Sequence, residues 1–237
     1  MARMMGWRAL PILGALPYLP SPSYSILNQT SASSACAYLE RALGTGVVLP
    51  SEDRYQSMTE RNWVQTAWAS PTCVVQPTSA EQISLAVKYL AKVEVHFAVR
   101  SGGHSPAPLG ANINDGVLLD MSGFNSVEYH AQRGTAVVGT GMRWGDVYHH
   151  LEQHNVTVVG GRILQVGVGG LTLGSGLSYL TDLYGLACDN VENFEVVLAD
   201  GSIVNANRHS HTDLWWALKG GANNFDATDS PTNAQAS

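Results

Sequence analysis

The sequence has little charge, no basic run and no long apolar run, and each of these shortages excludes a class of function. Asp, Glu, Lys and Arg make up 14% of the 237 residues, against about 25% in an average globular domain. With a net charge of −6, the chain lacks the basic surface on which nucleic-acid binding depends. No apolar stretch is long enough to span a membrane. Hydrophobic residues still reach 45%, which predicts a globular chain with one large domain or two intimate subdomains.

Cysteine is also scarce, with Cys36, Cys73 and Cys188 as its three copies. No Cys-x-x-Cys pair or His-rich spacing accompanies them, so the sequence predicts no metal site. If the protein is secreted, we expect a disulfide between Cys36 and Cys73 and a free thiol at Cys188. In a reducing cytosol, all three would be buried thiols.

The N-terminal residues 1–20 resemble a signal peptide. Arg3 and Arg8 precede an apolar stretch, although Pro11 and Pro17 interrupt it and no clear Ala-x-Ala site follows. We therefore expect a secreted protein. In that case the sequons that begin at Asn28 and at residue 155 are candidate glycosylation sites.

Glycine, by contrast, is abundant, with 24 copies concentrated in two segments. The first segment, residues 99–106, follows an apolar run at residues 93–98 that predicts a strand, and it places Gly102 and Gly103 directly before His104. Glycine allows positive φ and exposes main-chain N–H groups, which suits a bound phosphate. A histidine beside such a loop could bind a metal, move a proton or bond to a cofactor, although in most Gly-Gly-His turns it is simply solvated.

The second glycine segment spans residues 159–176, where Val, Ile and Leu fill the gaps between glycines. This composition predicts a buried loop pressed against a flat or charged ligand, followed by a helix near residues 177–184 whose N-terminus favours an anion. Close packing of structural elements is the alternative explanation, and a polar linker fits the apolar residues poorly. Neither segment has the spacing of a dinucleotide-binding loop, a P-loop or a nucleophile elbow. Any diphosphate cofactor must therefore be held in another way.

Hydrophobic periodicity predicts mixed helices and strands over the rest of the chain. A strand at residues 73–75, an amphipathic helix capped by Thr78 or Ser79 and the strand at residues 93–98 form a predicted β-α-β unit. Residues 55–69 are predicted to be irregular. The remaining predictions are strands at residues 46–50, 117–120 and 135–139, helices at residues 35–42, 143–154 and 213–219, and a hairpin of residues 194–198 and 202–205.

Seven segments match a known family in the same order along the chain. They are Arg-Ser-Gly-Gly-His-Ser at residues 100–105 and residues 144–148, 160–162, 166–176, 184–191, 198–204 and 213–225. Together they resemble the berberine-bridge-enzyme-like FAD-linked oxidases, whose FAD-binding domain is of the vanillyl-alcohol-oxidase or PCMH type, and among these the secreted fungal members. The resemblance implies an α+β PCMH-type FAD-binding domain of two α+β subdomains at residues 61–225. An N-terminal extension at residues 21–60 would precede it, and a disordered tail at residues 226–237 would follow it.

The resemblance also implies how FAD would be held. The first glycine loop would lie under the diphosphate, and His104 would bond covalently to the 8α-methyl group of the flavin. Ile163 stands where some relatives have a second, cysteinyl bond, so one bond is expected. The main chain of Val197 would meet the adenine. The implied cofactor-binding residues are Ser101, Gly102, Gly103, His104, Ser105, Gly169, Gly170, Gly174, Gly176 and Val197.

Two departures from the family pattern limit what the resemblance implies. Ser175 replaces the middle residue of a Gly-Gly-Gly run, and after Phe225 the chain continues as a polar tail instead of a substrate-binding domain. We therefore expect that domain to be missing, and we assign no catalytic base. The family implies oxidation of a small alcohol, amine or sugar, with hydride transfer to the flavin and dioxygen as acceptor. An inactive FAD-binding fragment and a non-enzymatic module of the same fold are the alternatives.

Overall fold

A computed structural model describes residues 31–225 and 231–235, so the predicted signal peptide and the sequon at Asn28 lie outside the described residues. Helices and strands are mixed, as the α+β prediction requires. The helices are α1 Ala32–Leu43, α2 Arg54–Thr59, α3 Ala80–Lys92, α4 Trp144–Glu152, α5 Val168–Leu173, α6 Thr181–Tyr184 and α7 Thr212–Leu218. The strands are β1 Val47–Val48, β2 Cys73–Val75, β3 Phe97–Arg100, β4 Val117–Asp120, β5 Val127–His130, β6 Thr135–Gly139, β7 Val191–Val197, β8 Ile203–Asn207 and β9 Pro231–Gln235.

The first sheet has the strand order β1-β2-β4-β3 and carries the first glycine segment. Strands β2, β4 and β3 run parallel, and α3 makes the predicted crossover from β2 to β3. Ser79 caps α3 by accepting a hydrogen bond from the main chain of Gln82, and the helix buries Ile83, Val87 and Leu90. Since β3 ends at Arg100, the glycine segment emerges at the carboxyl end of a parallel strand, where open α/β sheets commonly bind ligands.

The second sheet has the strand order β5-β6-β9-β7-β8, and its described pairings are antiparallel. Strands β7 and β8 form the predicted hairpin, and Gly201 takes the positive φ of 81° that its turn requires. Val197 of β7 lies in the same buried cluster as Ile83 of α3 and Val117 of β4. The two sheets therefore share buried side chains.

Strand β9 differs from the expectation of a disordered tail. The sequence predicts no regular structure at residues 226–237, whereas the structure places Pro231–Gln235 between β6 and β7. Antiparallel pairing uses main-chain groups, so it needs no hydrophobic alternation in the inserted strand. Without β9, both β6 and β7 would present an unpaired edge, which is unfavourable. The prediction of disorder therefore does not hold for these five residues.

Several element boundaries also differ from the predictions. The strand predicted at residues 93–98 begins only at Phe97, because Val93 ends α3 and Glu94 adopts a φ of 56° that breaks an extended run. Residues 55–59, predicted to be irregular, belong to α2. The strand predicted at residues 46–50 is reduced to β1. Strand β5 carries no sequence signal that we recognised.

A disulfide joins Cys36 of α1 to Cys73 of β2, with Cα atoms 6.0 Å apart. Both cysteines are buried, and Cys188 is a buried free thiol. The bridge and the free thiol agree with the pairing predicted for a secreted chain. The bond ties the N-terminal helix to the first sheet.

Removing this bridge should markedly destabilise the fold. The bridged cysteines are 37 positions apart, and releasing a loop of that length is worth about 4 kcal/mol in the chain-entropy description. We expect reductant to lower the free energy of unfolding by roughly that amount, measured by urea denaturation. The Cys36→Ala/Cys73→Ala variant should be equally unstable and insensitive to reductant. Equal stability with and without reductant would contradict the prediction.

Candidate functional site

The two glycine segments meet main chain against main chain. A Cβ atom added to Gly102 would lie 2.4 Å from the nitrogen and 2.5 Å from the Cα atom of Gly167, and a Cβ atom on Gly167 would collide with Gly102 at the same distances. Real Cβ atoms do not approach backbone so closely, so this contact requires glycine on both sides. The two segments that are each predicted to contact a ligand therefore lie side by side.

Side-chain hydrogen bonds hold the two segments together. The Ser101 hydroxyl donates to the carbonyl of Thr140 at 2.5 Å and accepts from the amide of Gly169 at 3.2 Å. The Arg143 guanidinium donates to the carbonyl of Gly102 at 3.2 Å and also to the carbonyl of Gln165. Ser101 and Arg143 therefore each connect two parts of the site that are distant in sequence.

A cavity of about 860 Å³ opens between the two segments, a volume typical of cofactor pockets. Apolar side chains form much of its wall, including Val166, Leu171 and Leu173, and Arg162 is the permanently charged residue of the described lining. Val197 does not line the cavity, because its side chain is buried in the cluster that also contains Ile83 and Val117. The other nine predicted cofactor-binding residues do: Ser101, Gly102, Gly103, His104, Ser105, Gly169, Gly170, Gly174 and Gly176.

The first glycine loop lines this cavity and contains a run of main-chain amides that the described residues leave unpaired. Within the described part of the chain, no acceptor pairs with the amides of Gly102, Gly103, His104 or Ser105. Gly103 adopts a φ of 69°, and successive amides around such a residue form a concavity that favours anions. The buried hydroxyl of Thr140, which also lines the cavity, has no hydrogen-bond partner among the described residues. These unused donors fit a ligand that carries a diphosphate.

The His104 side chain stands at the edge of the cavity with its ring stacked on Trp63. The two ring centroids are 4.7 Å apart, and the planes are within 8° of parallel. His104 is exposed, and no described residue makes a hydrogen bond to either ring nitrogen. The sequence does not predict this contact. Trp63 lies in residues 55–69, which are predicted to be irregular, and stacking is a tertiary contact.

A buried ion pair anchors the strand from which the loop starts. Arg100, 1% exposed, donates through Nε to Asp120 at 3.0 Å, through Nη1 to Asn62 Oδ1 at 2.9 Å and through Nη2 to the carbonyl of Met58 at 2.7 Å. Burial alone raises the pKa of Asp120, but Arg100, hydrogen bonds from Ser122 and Arg100, and the charge of Arg61 bring this pKa below its ordinary value. Asp120 is therefore a charged partner for Arg100. The resemblance contains Arg100 but gives no sign of this network.

The second glycine segment contains a helix that the sequence analysis places too late. It predicts a helix near residues 177–184, whereas α5 already spans Val168–Leu173 and only the short α6 follows at Thr181–Tyr184. Isolated glycine-containing helices are unstable. In this fold, however, Val168 packs in one core cluster and Leu173 in another. Tertiary burial thus stabilises a helix that local propensity disfavours.

Ser175, which departs from the family pattern, adopts a left-handed φ of 80°. For a residue other than glycine this conformation costs about 1–3 kcal/mol. Hydrogen bonds hold it in place: the amide of Cys188 donates to the Ser175 carbonyl at 3.0 Å, and the amide of Ala187 donates to the Gly176 carbonyl at 2.9 Å.

Burial, together with the charge of Asp189, raises the pKa of the Cys188 thiol. Cys188 does not line the cavity.

No group of three or more His, Cys, Asp or Glu residues is arranged to hold a metal ion within residues 31–225 and 231–235. Over the same residues, no helix combines the length and the apolarity that crossing a bilayer needs.

The fold and the cavity define an FAD-binding domain. The family model described as the FAD binding domain matches residues 71–207, more than half of the chain. The chain belongs to this family, and its structure is similar to that of a solved berberine-bridge-enzyme-like protein. FAD is therefore its cofactor, as the sequence predicts.

Relatives and solved structures agree with this assignment. An FAD-dependent monooxygenase of Cochliobolus heterostrophus is 50% identical over 66% of this chain and 30% of its own length. The berberine-bridge-enzyme-like protein 1 of Physcomitrella patens is 30% identical, with a TM-score of 0.76 over 84% of this chain and 44% of that one. The glucooligosaccharide oxidase of Acremonium strictum is 28% identical, with a TM-score of 0.74 over 86% of this chain and 42% of that one. The chain spans 30% to 37% of the first three curated relatives that it matches.

Proposed function

We propose that the chain holds FAD covalently through His104 and serves in the oxidation of a small organic substrate, an alcohol, an amine or a sugar. When bound, the flavin accepts a hydride from the substrate and passes the electrons to dioxygen. The observation that supports the proposal best is the convergence of two distant glycine segments on one cavity with His104 at its edge. The chain spans less than half the length of these relatives. We therefore propose the oxidation from the cavity and His104, and do not transfer it from the relatives.

Each part of the site has a definite task in this proposal. The free amides of Gly102, Gly103, His104 and Ser105 bind the diphosphate oxygens, because bare donors in a concave loop favour an anion. The apolar wall of the cavity packs against the ring system and keeps water away from it. The Arg143 side chain keeps the two loops at the distance that the cofactor needs.

The proposed tether is a single bond. His104 would hold the flavin through a bond from a ring nitrogen to the 8α carbon, for which one C–H bond of the methyl group and the N–H bond of the imidazole would break. The two protons and two electrons released would be taken up by dioxygen as the oxidant. The solved glucooligosaccharide oxidase carries a 6-S-cysteinyl, 8α-N1-histidyl FAD. In this chain Ile163 lines the cavity where the resemblance implies the second tether, and isoleucine cannot form one.

Flavin uptake tests this function directly. We expect the purified chain to be yellow and its flavin to remain with the protein after acid precipitation. Release of hydrogen peroxide with candidate alcohols, amines or sugars would separate an active oxidase from an inactive FAD-binding fragment. A chain that stays colourless after incubation with excess FAD would instead support the non-enzymatic alternative.

We also propose that the protein is secreted and glycosylated at Asn155. The Cys36–Cys73 disulfide supports an oxidising compartment. Asn155 is exposed in the turn after α4, with a φ of 55°, and no described residue makes a hydrogen bond to its side chain. An accessible Asn-x-Thr sequon in a surface turn is the form that N-glycosylation requires.

Replacing Asn155 should remove one glycan. In a secreting eukaryotic host, we expect the native chain to shift to lower mass after enzymatic deglycosylation, and the Asn155→Gln variant to show a correspondingly smaller shift. Asn125→Gln, an exposed asparagine outside any sequon, is the matched control. Identical shifts for the native chain and Asn155→Gln would exclude this site.

A further inference from the structure

At the edge of the cavity, the indole of Trp63 stacks on the imidazole of His104, and the proposed function assigns no role to this indole. We propose that Trp63 is a positioning residue that orients the His104 imidazole for its bond to the flavin. This inference rests on the proposed function, since it concerns the tether. Trp63 lies outside the cavity lining, so it acts through His104 and does not contact the cofactor.

Apart from Trp63, no residue in the described part of the chain orients the His104 imidazole. His104 is exposed, its ring nitrogens have no hydrogen-bond partner in the described part of the chain, and the stacked indole is the ring contact that it makes. An exposed histidine without partners samples several rotamers, of which few direct a nitrogen at the cavity. Stacking at 4.7 Å and 8° fixes the plane of the imidazole while leaving both ring nitrogens free to react.

Trp63 is itself fixed relative to the first glycine loop. Its amide donates to the carbonyl of Gly103 at 3.1 Å. Gly103 is the residue directly before His104. The neighbouring Asn62 accepts from Arg100 through its side chain at 2.9 Å and from the Trp68 indole through its carbonyl at 2.9 Å. Because Arg100 also ends the strand that leads into the loop, the indole and the imidazole are attached to one rigid base.

Bond formation depends on how often the nitrogen is correctly placed. Holding a reacting group in its productive geometry removes an entropic part of the barrier. An aromatic pair of this kind corresponds to about a three- to tenfold effect on a rate. We therefore expect Trp63→Ala to slow covalent attachment by about three- to tenfold, and Trp63→Phe to restore most of the rate because a phenyl ring can still stack.

The experiment follows covalent flavin over time after FAD is added to the flavin-free chain, as fluorescence that remains with acid-precipitated protein. Trp216→Ala is the matched control, since it removes another exposed indole, 79% exposed against 59% for Trp63, that does not line the cavity. FAD affinity is measured separately in the His104→Ala background, where adding Trp63→Ala should leave it unchanged. Thermal melting confirms that each variant is folded.

A second readout needs no flavin. In the flavin-free chain, the ring current of the indole should displace the NMR signals of the His104 ring protons. Trp63→Ala should return them to the positions of a solvated histidine, and Trp63→Phe should keep part of the displacement. Signals that do not change in Trp63→Ala would overturn the inference.

The outcomes separate this inference from the proposed function. A native chain that binds no FAD defeats both. A native chain that binds FAD without a covalent bond defeats the tether and, with it, the positioning role. A native chain that attaches flavin at the same rate as Trp63→Ala defeats only the positioning role, and a rate deficit that Trp63→Phe does not restore would indicate a merely structural effect.

Discussion

Replacing His104 with alanine is expected to eliminate covalent flavin altogether. The imidazole is the nucleophilic side chain at the edge of the cavity, and alanine offers no atom that could bond to the 8α carbon. FAD should still bind, because the main-chain amides of the loop do not depend on the side chain at this position. We expect the flavin of His104→Ala to appear in the supernatant after acid precipitation, whereas the flavin of the native chain remains in the pellet.

The control for this prediction is His149→Ala, which removes an exposed histidine of α4 that does not line the cavity. It should retain its flavin as the native chain does. His149→Ala should unfold within about 0.5 kcal/mol of the native chain, because surface substitutions outside special contacts have small effects. His104→Ala also loses the stack on Trp63 and should stay within about 1.5 kcal/mol of the native chain. Flavin that stays in the pellet with His104→Ala would show that another residue is the tether.

The second large effect is expected at the contact between the two glycine segments. Gly102→Ala places a methyl group 2.4–2.5 Å from backbone atoms of Gly167, which cannot rotate away. Relieving this overlap requires the loops to separate, at a cost of about 1–3 kcal/mol by analogy with overpacked cores. We expect a loss of stability of that size by urea denaturation and a loss of FAD affinity of about five- to 150-fold by fluorescence titration, since about 1.4 kcal/mol corresponds to tenfold.

Gly170→Ala provides the matched control for stability. A Cβ atom at Gly170 meets nothing within 4 Å, and the residue lies inside α5. Alanine is favoured over glycine in a helix by about 1 kcal/mol, so this variant should be as stable as the native chain or more stable. Since Gly170 lines the cavity, a loss of FAD affinity without a loss of stability would show that the cofactor occupies this space. If Gly102→Ala keeps both its stability and its affinity, the loop contact is not required.

Local patterns predicted much of the fold but placed several boundaries wrongly. The strand at Cys73–Val75, the strand at Val117–Asp120 and the hairpin of β7 and β8 were predictable, because each has apolar or alternating residues between turn signals. Helix α5 was not, because its glycines oppose helix formation and only burial of Val168 and Leu173 compensates. Strand β9 was not, because its pairing comes from the edges of β6 and β7.

The candidate site shows the same division. Motif resemblance alone identified nine residues that line the cavity, and the same resemblance identified FAD as the cofactor. The stacking of Trp63 on His104 and the buried network of Arg100, Asp120 and Asn62 escaped prediction. Each of these contacts joins residues far apart in sequence, and no local pattern encodes such a distance. The predicted contact of the Val197 main chain with adenine stays a prediction.

The sequence by itself determined the family and the cofactor through its resemblance to known FAD-binding domains. It also determined the loop that carries the histidine, because glycines limit the backbone locally. Only the tertiary structure decided that Gly102 and Gly167 touch, and that the residues beside them line a shared cavity. It also decided which aromatic ring lies against His104. The physical reason is that such contacts arise when separate elements bury their apolar faces together, and this packing depends on the whole chain.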